Sequence, residues 1–139
     1  MIDIKLLCKS FGENFVLKNI SFDVFEGQSL AIVGQSGTGK SVLLKNMIGL
    51  MKPDSGEVWI DDEMISSLSF KELQKVRTKI GMVFQSGALF DSLSVGDNIR
   101  LGLQKLTKLS KIEQTDRILE SLAEVNLEGT EDLMPSELS

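Results

Sequence analysis

The stretch that decides the fold is Gly34-Gln35-Ser36-Gly37-Thr38-Gly39-Lys40-Ser41. It matches the pattern G-x-x-x-x-G-K-[ST] at every fixed position. The apolar run at residues 29–33 predicts a buried strand before the loop, and residues 42–49 predict a helix after it. Strand, glycine-rich loop and helix in this order are the setting in which the pattern binds phosphate. A chance glycine-rich turn is therefore a poor alternative.

Each residue type in this loop has a physical reason to be there. Gly34, Gly37 and Gly39 tolerate positive φ angles and let the backbone approach a ligand closely. Successive backbone N–H groups, together with the positive end of the following helix, attract phosphate oxygens. Lys40 supplies a charge for the outer phosphates, and the Ser41 hydroxyl is suited to coordinate Mg²⁺. The other candidate phosphate-binding positions in the loop are Gln35, Ser36 and Thr38.

The composition restricts the class of protein. A chain of 139 residues is about one domain long, and 42% hydrophobic residues suffice for a core. The net charge of −5 gives no support for long-range attraction to nucleic acid, so we expect no nucleic-acid partner. Cys8 is the single cysteine, which excludes an internal disulfide and favours a reducing cytoplasm. We expect no signal peptide and no membrane-spanning segment, and the absence of histidine excludes histidine acid–base chemistry within this segment.

The first part of the chain predicts strands around the loop. Alternating apolar residues at 2–7 and 20–25 predict two strands, and residues 11–14 between them predict a turn. The tight turn at Glu26-Gly27 predicts a hairpin between the strand at 20–25 and the buried strand at 29–33. A further strand is expected at 57–60, after the turn Pro53-Asp54-Ser55-Gly56. Ser69 and Glu72 fit a capping box that opens a helix to about residue 78. Residues 80–84 then predict another buried strand, and Gln85 follows directly at its carboxyl end, where open α/β sheets bind ligands.

The later part of the chain predicts helices with no strand between them. Ser94 is expected to cap a helix through Leu103, and Ser110 with Glu113 forms a second capping box for a helix to about residue 125. An apolar stripe on that last helix favours core packing, and it consists of Ile112, Ile118, Leu119, Leu122 and Val125. Successive helices of this kind suggest a helical subdomain attached to an α/β core. A phosphate-loop hydrolase also needs a second metal-binding acid after an apolar strand, and no such strand follows Gln85.

These motifs together resemble the amino-terminal half of an ABC-transporter ATP-binding subunit, from Met1 to Ser139. The phosphate loop, the turn at 53–56 and the segment 81–85 all correspond, and Leu138-Ser139 resembles the start of the family signature L-S-G-G-Q. The stretch Phe84-Gln85-Ser86-Gly87-Ala88-Leu89-Phe90-Asp91 is most similar to the ATPase of the Mla-type, MCE-associated phospholipid transport systems.

The resemblance implies an α/β fold: a P-loop NTPase core with an antiparallel β subdomain and the start of an ABC α-helical subdomain, truncated before the Walker B strand. It implies a partial ATP-binding domain over residues 1–139, with the β subdomain and P-loop core at 1–85 and part of the helical subdomain at 86–139. The cofactors implied are ATP and Mg²⁺. Phe11 falls at the family's adenine-stacking aromatic, although a core aromatic on a loop is the alternative reading. Gln85 falls at the glutamine that contacts Mg²⁺ and the attacking water.

The same resemblance implies partners and a location. The partners are integral membrane permease subunits and a second ATP-binding subunit, so that the complete form is a homodimer. The protein would be cytoplasmic and peripheral on the inner face of the cell membrane through its permease partners. The rest of the signature, the metal-binding Asp, the catalytic Glu and the switch His have no counterpart in this sequence.

Two alternatives stay open at this point. The 139-residue chain by itself could be a non-catalytic nucleotide-binding fragment without turnover, so whether it is an enzyme is uncertain. A small P-loop kinase or GTPase ranks low, because the guanine-reading N-K-x-D motif and a basic substrate lid are absent from the sequence.

Overall fold

The computed structural model describes residues 1–84 and 87–138 of the chain. These residues form two compact units, Met1–Gly81 and Met82–Ser139. The subdomain boundary after residue 85, which the sequence suggests, stays a prediction. Each unit is described by itself below.

The first unit contains an antiparallel sheet that begins with a hairpin of its first two strands. Its strands are β1 (Ile2–Phe11), β2 (Asn14–Val24), β3 (Ser55–Ile60) and β4 (Glu63–Met64). The spatial order is β2-β1-β3-β4, and each neighbouring pair is antiparallel. The two strands predicted at 2–7 and 20–25 are present, and both extend further toward the turn at Gly12. The predicted hairpin between 20–25 and 29–33 was wrong, because β2 pairs with β1 and residues 29–33 form no strand.

An irregularity in β1 shapes the hairpin. The pairing of β1 with β2 shifts register between Ile4 and Leu7, and Leu6 and Asn19 have positive φ angles of 49° and 50°. Gly56 on β3 packs against this point with φ 87°, and a Cβ built on it would lie 2.4 Å from the Leu6 carbonyl oxygen. Because both the backbone angle and the close approach exclude a side chain, this position requires glycine.

Two α-helices and one short turn of 3₁₀-helix complete the first unit. Helix α1 (Lys40–Met47) follows the glycine-rich loop, and α2 (Phe70–Arg77) begins at the predicted capping box, with the 3₁₀ turn at Ile65–Ser67 between them. The core is formed by apolar side chains from the sheet and these helices, namely Ile4, Leu7, Leu17, Leu43, Met47, Val58, Ile65 and Val76. The hairpin and α1 therefore share one core.

The predictions of buried strands at 29–33 and 80–84 were wrong for the residues that the structure describes. Neither run is assigned to a strand, and Val33 and Val83 are 87% and 94% exposed. A strand forms only beside a hydrogen-bonding neighbour, and the described residues provide none for either run. Within these runs, Ile32 and Ile80 are partly buried and pack against the core of the first unit.

The second unit is built mainly from two helices, as the capping signals predicted. Helix α3 (Val95–Leu106) begins after Ser94, whose side chain accepts a hydrogen bond from the Asp97 amide, and α4 (Lys111–Glu124) begins at the Ser110–Glu113 capping box. The chain then continues to a 3₁₀ turn at Pro135–Glu137. The backbone amides of Val95 and Gly96 donate to the carbonyls of Leu133 and Glu131, which attach this later segment to the start of α3.

The predicted apolar stripe on α4 is buried only in part. Ile118 and Leu122 are buried and pack with Val95, whereas Ile112 and Val125 are 77% and 59% exposed. A helix of this length presents one narrow strip to a single neighbour, so the flanking members of the stripe lie outside the contact with α3.

A carboxylate at the start of β3 binds the end of β1. Asp54 accepts hydrogen bonds from Lys9 Nζ (2.6 Å), from the Ser10 amide (2.7 Å) and from the Ser10 hydroxyl (2.7 Å). Its own amide donates to the Cys8 carbonyl at 3.0 Å. These hydrogen bonds lower the pKa of Asp54 to about 2, with the Lys9 bond as the largest cause.

We expect these bonds to give stability a specific pH dependence. A lowered folded-state pKa adds stability that is present above the unfolded-state pKa and is lost as the pH falls toward the folded-state pKa. The stability difference between the native chain and Asp54→Asn should therefore be constant at neutral pH and shrink as the pH falls from 3.8 to about 2. Urea midpoints at each pH measure it. The control is Asp62→Asn, which removes an equal charge from the exposed turn after β3 and so measures the effect of the change in net charge alone. A difference that disappears already near neutral pH would contradict the assignment.

Candidate phosphate-binding site

The glycine-rich loop is curved and is closed by its own lysine. The Thr38 hydroxyl donates to the Gln35 carbonyl at 2.9 Å, which fixes a turn at the tip of the loop. Lys40 Nζ donates to the carbonyls of Gly34 (2.8 Å) and Gln35 (2.7 Å), so the end of the loop folds back on its beginning. The ammonium group is therefore held against the backbone of the bend.

The amino-terminal end of α1 has backbone amides that no side chain caps, and these amides are suited to bind an anion. Its N-cap residue is Gly39, in the left-handed region with φ 96°, and it offers no side chain to cap the helix. No acidic residue lies in the first turn. The first amides of a helix lack intrahelical acceptors, and the helix dipole places partial positive charge there. Ser41, the second residue of α1, is exposed beside these amides.

The loop packs directly against the hairpin. A Cβ built on Gly39 would lie 2.7 Å from Val16 Cγ1, 3.3 Å from Leu17 Cδ2 and 3.3 Å from the Val16 carbonyl oxygen. Leu17 is itself part of the core. The beginning of α1 and the second strand of the hairpin are therefore in contact at the point where the pattern requires glycine.

The same hairpin places the predicted adenine-stacking aromatic. Phe11 is the last residue of β1, and it pairs with Asn14 across the turn. Its side chain is 49% exposed, so the alternative reading of a core aromatic is not what the structure shows. The Nζ atom of Lys9 lies 5.8 Å from the centroid of its ring.

The remaining predicted site residues are distributed as follows. Ser36 is exposed, and Gly37 has φ 82° with open space where a Cβ would lie. A Cβ on Gly34 would meet the Thr38 hydroxyl oxygen at 3.0 Å. Gln85, the predicted metal and water ligand, lies outside the described residues. Within the described part of the chain, no group of three or more Cys, Asp or Glu residues is placed to hold a metal ion.

Sequence reasoning missed three residues next to this site. Val16 contacts the loop at Gly39, Lys9 lies near the Phe11 ring, and Asp54 binds Lys9. Val16 is an ordinary apolar strand residue by pattern, and Lys9 and Asp54 are far apart in sequence. The one available signal was Asp54 in the turn Pro53-Asp54-Ser55-Gly56, which indicates a turn but not its partner.

A glycine-rich loop that leads into a helix and packs on an antiparallel hairpin is suited to bind phosphate, and comparison with known families identifies the class of protein. The family model described as ABC transporter matches residues 17–139. The chain therefore belongs to the ABC transporter family.

Individual relatives agree with this assignment along the whole chain. The protein TRIGALACTOSYLDIACYLGLYCEROL 3 of Arabidopsis thaliana is 44% identical over 140 residues, which cover 100% of this chain and 40% of that protein. The intermembrane phospholipid transport system ATP-binding protein MlaF of Haemophilus influenzae is 40% identical over 139 residues, covering 100% and 53%. The probable ribonucleotide transport ATP-binding protein mkl of Mycobacterium leprae is 41% identical, covering 99% and 40%. The chain thus spans about half the length of these relatives.

Solved structures show the same fold. An ATP-binding cassette in a dimeric, post-hydrolysis state bound to ADP and Pi matches with a TM-score of 0.88 and 36% identity, covering 100% of this chain and 63% of the other. The predicted ABC fold, with its antiparallel sheet and helices, is confirmed. Among the described residues, no helix is both long enough and apolar enough to cross a membrane.

We expect Gly39→Ala to destabilise the chain more than Gly37→Ala. Both positions have positive φ, which costs about 1–2 kcal/mol for alanine, but only Gly39 has Val16 and Leu17 in the space that a Cβ would occupy. Overpacking adds about 1–3 kcal/mol, and urea denaturation measures the difference. The double variant Gly39→Ala, Val16→Ala should lose less than the sum of the single losses, because Val16 is the nearest obstacle. Equal losses for the two glycines would show that the contact is unimportant.

Proposed function

We propose that this chain is the nucleotide-binding part of an ABC-transporter ATP-binding subunit whose complete form binds and hydrolyses MgATP. The main support is the closed loop, in which Lys40 Nζ is held by the carbonyls of Gly34 and Gln35 at the uncapped beginning of α1. This arrangement brings one full positive charge and the free amides of a helix to the same place. Both attract the anionic part of a nucleotide.

The proposed roles follow from the chemistry of each residue. Lys40 and the amides of the loop bind the β- and γ-phosphates, and Phe11 stacks on the adenine. The Ser41 hydroxyl and Gln85 are the proposed oxygen ligands of Mg²⁺, and oxygen is the ligand atom that this ion prefers. The bound ion neutralises charge on the phosphates. The chain's own contribution is to hold the phosphates with backbone groups that are already positioned by the loop.

For the complete protein we propose phospholipid as the transported substrate. Residues 84–91 resemble the Mla-type ATPases, and the name of the relative MlaF refers to intermembrane phospholipid transport. The name of mkl refers instead to ribonucleotide transport, so the family assignment alone does not select the substrate. The sequence of residues 84–91 is what favours lipid.

We also propose the family's mode of assembly. The complete subunit would pair with a second ATP-binding subunit and act on integral membrane permease subunits from the cytoplasmic face. The solved cassette that resembles this chain is dimeric, which supports the first part of the proposal.

For the 139-residue chain alone, we favour nucleotide binding without turnover. Steady-state ATPase turnover by this chain at the level of a complete cassette would contradict that.

Lys40→Ala tests the proposed phosphate site. Loss of a charge-assisted hydrogen bond is worth about 1.5–3 kcal/mol, so we expect the affinity for ATP to fall about 10- to 100-fold. Affinity for inorganic tripolyphosphate should fall by a similar factor, because Lys40 contacts phosphate and not the base. Isothermal titration of both ligands on the 139-residue chain measures this.

The matched control is Lys45→Ala, which removes the same charge from the last turn of α1, away from the loop. Its affinities for ATP and tripolyphosphate should equal those of the native chain. Unchanged ATP affinity in Lys40→Ala, or an equal loss in Lys45→Ala, would refute the assigned role of Lys40. Strong preference for GTP in competition would favour a GTPase instead.

A further inference from the structure

Asp54 binds the residue that directly precedes the proposed base-stacking aromatic. Asp54 accepts two hydrogen bonds from Ser10 and one from Lys9, all at 2.6–2.7 Å. Ser10 directly precedes Phe11 in β1. A strand end next to a hairpin turn frays readily. The carboxylate therefore fixes the backbone immediately before the aromatic ring.

The second contact runs through the side chain of Lys9. Its Nζ atom forms an ion pair with Asp54 and also lies 5.8 Å from the centroid of the Phe11 ring. The Lys9 side chain is only 16% exposed. A cation at this distance from an aromatic ring attracts its π-electrons. The ion pair therefore fixes the ring as well as the backbone, and about half of the Phe11 side chain stays open to solvent.

We propose that Asp54 is a positioning residue for the base site: through Ser10 and Lys9 it holds Phe11 ready to stack on the adenine of a bound nucleotide. This inference rests on the proposed function, because it assumes that Phe11 contacts the base. Holding the ring before binding lowers the entropy that is lost when the nucleotide is ordered. The lowered pKa of Asp54 means that the carboxylate is charged at neutral pH, so these contacts are present under ordinary conditions.

The test compares ATP with inorganic tripolyphosphate, which has the phosphates but no base. Base stacking on an aromatic ring contributes to binding affinity, so Phe11→Ala should lower ATP affinity about tenfold. Its affinity for tripolyphosphate should be unchanged, because that ligand has no base. Asp54→Asn should lower ATP affinity about threefold, again without an effect on tripolyphosphate, because the ring is kept but held less well. Asp62→Asn is the charge-matched control and should change neither affinity. Circular dichroism verifies that each variant is folded.

Two further variants separate positioning from general stability. Ser10→Ala removes only the hydroxyl bond to Asp54 and should lower the preference for ATP over tripolyphosphate less than Asp54→Asn does. In a Phe11→Ala background, Asp54→Asn should have no further effect on that preference, because Asp54 acts on the base only through the Phe11 ring.

The outcomes distinguish this inference from the proposed function. If Phe11→Ala lowers ATP affinity but Asp54→Asn does not, the positioning role is refuted and the base site stands. Equal losses for ATP and tripolyphosphate in Asp54→Asn would also refute it, because they indicate a general loss of structure. If Phe11→Ala leaves the preference for ATP unchanged, the proposed base site and the positioning role both fail, while the phosphate site tested by Lys40→Ala remains.

Discussion

The contact between Gly39 and the second strand of the hairpin connects the parts of the proposed site. Val16 and Leu17 occupy the space in which any side chain at position 39 would lie. Leu17 is also a core residue, so the loop packs against the core of the first unit. Because Phe11 and Val16 belong to the same hairpin, the proposed sites for base and phosphate are held by one packed element. Their separation is therefore set by strand geometry and not by a flexible connection.

Features that depend on a few neighbouring residues were predictable from the sequence. The Ser69–Glu72 capping box forms as expected, with the Ser69 amide and hydroxyl donating to the Glu72 carboxylate. In the Ser110–Glu113 box of α4, the Ser110 amide donates to the Glu113 carboxylate and the Ser110 hydroxyl accepts from the Glu113 amide. The curved glycine loop was also expected, since its glycines and lysine interact within six residues of one another. Local chemistry of this kind is specified completely by the adjacent sequence.

Features that depend on distant residues were not predictable. Asp54 and Ser10 are 44 positions apart, and neither residue type signals the other. The positive φ angles of Leu6 and Asn19 arise from a register shift that no pattern of apolar residues reveals. The run 29–33 has the composition of a buried strand, yet composition does not supply the neighbouring strand that burial requires. The proposed roles of Phe11, Ser41 and Gln85 stay predictions, because each role is a contact with a ligand and not with another residue of the chain.

The hydrogen bonds of Lys40 limit what this residue can offer an incoming ligand. An ammonium group has three N–H donors, and two of them are already directed at the carbonyls of Gly34 and Gln35. One donor is left, so Lys40 in this conformation reaches a single phosphate oxygen. In the proposed site, the other phosphate oxygens are therefore left to the amides of the loop and of α1, and to the proposed Mg²⁺. In this conformation most of the hydrogen-bond donors that the loop can offer to a phosphate group are therefore backbone amides and not the lysine.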